Sequence, residues 1–400
     1  MDINEKTWNF IREHAEDDIR KLALLGSKDR EVDLKRALQQ IAGQQTARRK
    51  LPSWAGVDGI VYPPHLNMEQ CSSEQTARYK ATLVAGGGNR YMDLTGGLGV
   101  DFYWMSQNFE QRYYIEQNKE LCSLAEHNFQ TLGLACSVCC STAATALTGI
   151  SHADVIFLDP ARRNEQGGRT YDIKDCTPNI LEMLPQLMER ADKVILKLSP
   201  MLDWRKAVDD LNYVREVHIV SVDNECKELL LVLTRSENPF RLVCVNNDSV
   251  FEVSMPPGSQ PVPIRQPSAI DSQLSALNPL PSYLYEPNAS IMKAGCFTEL
   301  EQQFSVAPIS ANSHLFLSSV EMRDFPGRGF QILGISSMNK HALKEALAGT
   351  DRANIAVRNF PLSAEQLRKR LKLKDGGDCY IFATTQADGE HRLYICRKIG

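Results

Sequence analysis

The sequence predicts an α/β fold in which six parallel strands and one antiparallel strand form a helix-covered sheet. A helical region precedes this sheet and an α+β module follows it. Three observations carry the prediction. From about 70 to 235, short apolar runs alternate with helical stretches, the rhythm of a largely parallel sheet covered on both faces. The last two runs, 214–222 and 229–233, have only Asp223-Asn224-Glu225-Cys226-Lys227-Glu228 between them, too short for a crossover, so they pair antiparallel. Where the first run ends stands a glycine-rich turn, Thr95-Gly96-Gly97-Leu98-Gly99, followed by a helical pattern.

Taken in order, residues 1 to about 60 read as helical. Trp8, Ile11, Ala15, Ile19 and Leu22 recur every three or four residues as one apolar stripe, and Val32, Leu34, Leu38 and Ile41 mark a second helix. Arg48-Arg49-Lys50 is a basic patch, and Pro52, Pro63 and Pro64 mark a boundary. The strands that follow are expected at 90–94, 113–116, 136–140, 155–159, 193–199, 214–222 and 229–233. Helices are expected through Phe102 and Met105, over 118–131, 174–190 and 204–211. A hairpin at 241–245 and 250–253 leads into a stretch with Pro256, Pro257, Pro261, Pro263, Pro267, Pro279 and Pro281, which reads as a linker. The end of the chain reads as strand 331–335, helix 341–347, strand 354–360, helix 363–371 and a hairpin of 379–384 with 392–397. The expected divisions are a helical region 1–65, a sheet domain 66–236, a hairpin, linker and small α+β region 237–325, and an α+β domain 326–400.

Composition narrows the function classes. The 400 residues are 43% hydrophobic and 24% charged with net charge -4, the balance of a globular protein rather than a disordered one. A uniformly basic coat is excluded, a local basic patch is not. No run approaches eighteen apolar residues and the N-terminus is charged, so neither a membrane span nor an apolar signal core is expected. The eleven cysteines are odd in number and scattered, which suits a reducing cytoplasm better than a disulfide framework. Cys136 and Cys139 form a lone CxxC, short of the four ligands a structural zinc needs, so no metal is expected.

The densest chemical signal is Asp93-Leu94-Thr95-Gly96-Gly97-Leu98-Gly99-Val100-Asp101. Glycines at a strand-to-helix turn let the backbone approach a ligand, and Glu116, ending the next strand, can accept hydrogen bonds from both hydroxyls of a ribose. The plain alternative is a turn that serves only tight strand–helix packing. A dinucleotide fingerprint fails, because Phe102 stands where the third glycine of GxGxxG belongs and Asp93 would repel a pyrophosphate. An acid there suits a cationic ligand.

This Asp-x-x-Gly-Gly-x-Gly motif resembles the first motif of class I S-adenosylmethionine-dependent methyltransferases, with their Rossmann-like sheet, over roughly 70–235. The resemblance implies S-adenosyl-L-methionine as cofactor. It places Asp93, Thr95, Gly96, Gly97 and Gly99 at the methionine portion and Glu116 at the ribose. The acid that reads the adenine amine in that family falls near Ser141, here a hydroxyl. Asp159-Pro160-Ala161-Arg162-Arg163 looks like the family's Asp-Pro-Pro-aromatic motif, in which carboxylate and carbonyl hold an amine. Asp159 and Pro160 would therefore be catalytic. Ala161 and Arg162 depart from the pattern, leaving Arg162 and Arg163 to meet substrate or to form ion pairs. An Asp-Pro-x-Arg variant is also similar to RNA uracil-C5 methyltransferases, but their cysteine is absent from Lys197-Leu198-Ser199-Pro200.

Near the C-terminus, Arg368, Lys369 and Arg370 lie on one helix with Lys372, Lys374, Arg352 and Arg358 nearby, a candidate contact for phosphate backbone or a solvated face. The strand–helix–strand–helix–hairpin order resembles THUMP-type RNA-binding modules. With Glu69-Gln70-Cys71-Ser72-Ser73-Glu74 and Tyr285-Glu286-Pro287-Asn288-Ala289, the whole resembles a bacterial family of methyltransferases with a THUMP-like C-terminal region. Ser72, Ser73 and Glu74 also suit a helix start. The resemblance implies methylation of a base in tRNA or rRNA, at an exocyclic amine. The competing readings are an RNA-binding protein with an inactive methyltransferase fold, and a methyltransferase for protein or small molecules.

Overall fold

The structure is a computed structural model that describes residues 3–162, 173–256 and 281–399. Arg163 and most of the expected linker, from Pro257 to Pro279, lie outside the described residues. The chain forms two compact units. The first comprises Met1–Val217 and Glu228–Asn238, the second His218–Lys227 and Pro239–Gly400.

In the first unit the apolar stripe of the N-terminus is carried by two helices, not one. Glu5–Glu13 ends before His14, and Asp18 starts Ile19–Leu25 by accepting the backbone N–H groups of Arg20 and Lys21. A short acidic side chain at that point competes with the helix and caps the next one, so periodicity alone joins what capping divides. Both helices still bury their stripe, with Phe10, Ile11 and Leu22 meeting Ala37 and Ile41 of helix Leu34–Lys50. That region shares a core with the sheet domain: Leu51, Trp54 and Met68 join Leu98, Val100 and Leu124. Two amide side chains fasten it. Gln40 brackets the backbone N–H and carbonyl of Tyr62, and Asn128 brackets those of Val61.

Seven strands position the site: β1 Gly88–Asp93, β2 Phe109–Glu116, β3 Ser137–Cys140, β4 Ala153–Leu158, β5 Ala191–Leu198, β6 Val214–Val222 and β7 Glu225–Thr234. Across the sheet they run β3-β2-β1-β4-β5-β7-β6. β1 pairs parallel with β2 and β4, β2 with β3, and β4 with β5. β7 enters antiparallel, placing Leu229 opposite Leu198 of β5. Buried apolar runs at Val155–Leu158 and Val194–Leu196 fit strands covered on both faces. β7 starts four residues earlier than its apolar run indicates. The link from β6 is the two-residue turn Asp223-Asn224 at φ +50° and +61°, a left-handed geometry that Asp and Asn tolerate. The helix expected from 174 begins only at Ile180, behind Pro178 and an Asn179 cap.

The second unit holds the hairpin Phe240–Asn246 with Ser249–Met255 and a separate seven-stranded sheet. Its strands run, by residues, 307–308, 316–318, 283–287, 327–337, 391–399, 379–385 and 354–358, with helices Lys340–Ala346 and Ala364–Leu371 in the expected places. Phe330, Phe382, Tyr394, Leu284 and Leu317 form its core. Strand Tyr283–Pro287 and helices Ala289–Ala294 and Phe297–Phe304 carry no clear periodicity, being too short to show one. They explain the Tyr285–Ala289 motif. The Tyr285 hydroxyl accepts from Met322 N–H, buried Glu286 accepts from Arg328 and Arg358, and Asn288 caps the helix by accepting from Ile291 N–H. Among the described residues no helix is long and apolar enough to cross a membrane.

Candidate active site

The glycine turn is built between two strand ends. Leu94 N–H donates to the Phe157 carbonyl at 3.0 Å and Gly96 N–H to the Ile115 carbonyl at 2.8 Å. The three glycines answer to different demands. A Cβ on Gly96 would lie 2.1 Å from the Tyr114 ring, and one on Gly99, at φ +84°, 2.5 Å from Phe129. Packing dictates these two. Gly97, at φ +56°, has nothing nearer its absent Cβ than Thr95 O at 3.9 Å, so it leaves free space beside the turn. Gly96→Ala and Gly99→Ala are each expected to lower folding stability by about 1–3 kcal/mol through overpacking, read by urea unfolding.

Glu116 is fastened to this turn: Gly97 N–H donates to Oε2 at 2.9 Å and Asn118 N–H to Oε1 at 2.8 Å. A carboxylate offers about four lone-pair positions, so both oxygens can still accept from a ligand. Ser141 sits at the adjacent strand end, its N–H on the Glu116 carbonyl at 3.0 Å and its hydroxyl toward Thr142 O at 3.4 Å. Asp93 is 1% exposed, with Oδ1 accepting from Thr95 N–H. Burial pushes its carboxyl well above the usual range, the Thr95 bond opposing and Asp101, Asp159 and Glu116 adding to it. An acid whose folded pKa is raised destabilises the fold as pH climbs past its unfolded value, about 4. Asp93→Asn, which can still accept from Thr95, is therefore expected to raise the melting temperature at pH 8, with the gain vanishing at pH 4.

Asp159 follows β4. Its N–H donates to Thr95 Oγ1 at 2.6 Å, joining the ends of β1 and β4, and Pro160 beside it is buried. Arg162 contributes backbone to a two-residue ladder with Cys176. The Asp159 carboxylate is not free to hold an amine by itself, because Lys197 Nζ of β5 lies 2.5 Å from Oδ2.

Behind that pair lies a charge cluster that motif reading misses. Lys197 is 3.6 Å from Asp101, Asp101 is 3.1 Å from Lys80, and Lys80 bonds Glu228 at the start of β7. Ser72 Oγ sits between the acids, 2.7 Å from Asp101 Oδ2 and 3.2 Å from Glu228 Oε1. Ser73, not Ser72, caps helix Glu74–Thr82, while Glu74 binds Ser53 and Arg78. Exposure grades outward: the Lys80 side chain is 0% exposed, Glu228 5%, Lys197 11% and Asp159 38%. Burial would raise the Asp101 carboxyl, but Lys80 and Lys197 hold it below its usual range. At Asp159 burial outweighs Lys197 and the carboxyl stands above that range. Burial alone would depress the Lys197 ammonium, yet Asp159, Asp101 and Glu228 raise it, so it stays protonated. The sequence signal is a charge abutting an apolar strand run, in Val194-Ile195-Leu196-Lys197 and in Glu228-Leu229-Leu230-Leu231.

In the second unit, the basic helix spends part of its charge locally. Arg368 pairs with Asp375 at 2.5 Å and Lys369 with Glu365 at 2.8 Å, while Arg370 is exposed. Arg358 is held by Glu286.

A sheet in this strand order, with a glycine turn after β1 and a tethered carboxylate after β2, defines a class I S-adenosylmethionine-dependent methyltransferase. The chain is similar along 100% of its length to 100% of the crystal structure of a candidate methyltransferase from Porphyromonas gingivalis W83, with 30% identity and TM-score 0.84, and it belongs to that protein's family. Residues 327–398 match a THUMP domain-like family model and 283–326 a ferredoxin-like domain model. More distant likenesses include M. capricolum TrmK with S-adenosylhomocysteine (14% identity, TM-score 0.32, 40% of this chain and 68% of that one). Another is an rRNA methylase from Streptococcus thermophilus (11% identity, TM-score 0.30, 40% and 94%). None of the curated proteins compared matches the chain.

Proposed function

We propose that the protein transfers a methyl group from S-adenosylmethionine to RNA, a tRNA or rRNA. The observation that carries this reading is a methyltransferase fold, with Glu116 tethered to its glycine turn, in a chain that also holds a THUMP domain-like module at 327–398.

The residues present fit the cofactor. Beside Gly97 there is room for a ligand, and the Glu116 oxygens keep lone pairs for ribose hydroxyls. In this reading Asp93, Thr95, Gly96 and Gly99 shape the turn around the methionine end, and Ser141, at the end of β3 beside Glu116, meets the adenine. Among Lys80, Lys197, Asp101, Asp159 and Glu228 the acids outnumber the lysines, a balance that favours a cation over a phosphate-bearing cofactor. When bound, the cofactor supplies an electrophilic methyl group on a positively charged sulfur. Asp159 and the buried Pro160 stand at the acceptor side, where alignment and exclusion of water are the protein's contribution. Arg162 and Arg163, which follow shortly in the sequence, and Arg368, Lys369 and Arg370 on the basic helix, are proposed to meet phosphate.

The test is transfer of labelled methyl from S-adenosylmethionine into total RNA from a strain lacking the gene, with calorimetry for the cofactor. Labelled RNA, and RNA binding that weakens steeply with salt, are the expected results. Cofactor binding without RNA labelling would overturn the RNA reading. No cofactor binding at about 1 mM, a generous ceiling for a working site, would overturn catalysis itself.

A further inference from the structure

We propose that the methyl acceptor is a ribose 2′-hydroxyl of the RNA, held by Lys197 and deprotonated at Asp159, with Lys80 and Glu228 positioning that pair. The inference rests on the RNA reading above and replaces a base amine as the acceptor.

An amino group on a base presents N–H donors and is best held by oxygen acceptors. Here the most exposed carboxylate, Asp159, already carries an ammonium, 2.5 Å away on Lys197. A substrate atom at this mouth meets a cationic donor and an acceptor side by side, which suits a group that is both acceptor and donor. A hydroxyl is such a group. It also needs such a site, since a neutral alcohol is a weak nucleophile and must lose its proton as the methyl arrives. Lys197 stabilises the negative charge that develops on oxygen. Asp159, pushed above the ordinary carboxylate range, is a better proton acceptor than an exposed aspartate. The alcohol that every internal nucleotide of RNA presents is the 2′-hydroxyl.

The balance closes. The hydroxyl proton passes to an Asp159 carboxylate oxygen, the oxygen–methyl bond forms, and the sulfur–methyl bond breaks with its electron pair left on sulfur. Lys197 remains an ammonium throughout. Behind it, Glu228 and Asp101 keep that ammonium charged, and buried Lys80 offsets the two acids so that neither captures Lys197 from Asp159. A cluster of this kind is a poor device for stability, because apolar side chains of similar volume serve as well or better. Ionisable groups gathered at the carboxyl ends of a parallel sheet are instead the pattern of a working site.

The experiment digests the labelled RNA with alkali. A methyl on the 2′-oxygen blocks the internal attack that cleaves RNA, so label is expected in alkali-resistant dinucleotides. Label in mononucleotides, on the base, would overturn this inference while leaving the RNA reading intact; absence of label in RNA, with cofactor bound, would overturn both. Lys197→Met is expected to slow transfer by about 10²–10⁴-fold with the cofactor Kd by calorimetry within a few-fold. Lys197→Arg, which keeps the charge and guards against misfolding, is expected to recover part of the rate. Glu228→Gln, which removes a charge that raises both Asp159 and Lys197, is expected to move the acidic limb of the pH–rate profile to lower pH without changing the product, and an unmoved limb would overturn the positioning role. An unchanged rate in Lys197→Met would sink the assignment.

Discussion

Asp159→Asn is expected to abolish methyl transfer, by about 10²–10⁴-fold in a single turnover, while the cofactor Kd stays within a few-fold. The asymmetry follows from what the residue touches. Its link to Thr95 is made by the backbone N–H, so the amide variant keeps the joint between the ends of β1 and β4. The hydrogen bonds that hold Glu116 to Gly97 and Asn118 beside the glycine turn do not use the Asp159 carboxylate. What disappears is the negative charge beside Lys197, on the most exposed carboxylate of the cluster. The wild-type rate should fall with acid as Asp159 takes up a proton, along a limb lying above the ordinary carboxylate range because burial raises this group. The variant's residual rate should lack that limb. Equal losses of transfer and cofactor binding would count against Asp159 as a group acting on the acceptor.

Much of this site is legible in the amino-acid sequence, and the part that is not depends on which segments meet in the fold. Strand ends announce themselves locally: an apolar run, then Asp93-Leu94-Thr95-Gly96, or an apolar run, then Asp159-Pro160. Because β1, β2 and β4 are sheet neighbours, motifs read one by one end up together, and Glu116 does reach the Gly97 amide. Lys80, Lys197 and Glu228 belong to no local motif. They converge from a helix before β1, from β5 and from an antiparallel strand 148 residues beyond Lys80, so only tertiary pairing relates them. The glycines teach a different lesson. The spacing indicates a turn made for a ligand, yet two of its three small residues answer to Tyr114 and Phe129 beneath it, and Gly97 alone leaves room. The same blindness joins the first two helices, where an apolar period outweighs the capping power of Asp18.

The other large effect is on stability. Lys80→Met is expected to cost about 3–5 kcal/mol of unfolding free energy, the range for stripping one partner from a buried ion pair. Its ammonium is wholly enclosed, with Glu228, Asp101 and Ser72 as partners, and methionine fills similar space without charge. Removing it leaves two acids facing each other across Ser72 at almost no solvent exposure. They would relieve the strain by taking up a proton, so the loss should shrink in acid and be full at neutral pH. Adding Glu228→Gln to Lys80→Met removes one of the stranded charges and should restore part of the stability, though none of the activity. That divergence is informative. If the cluster existed to hold the fold together, activity would return with stability in the double variant. If it exists to keep Lys197 charged and aimed at Asp159, urea unfolding would show recovery while methyl transfer stayed low.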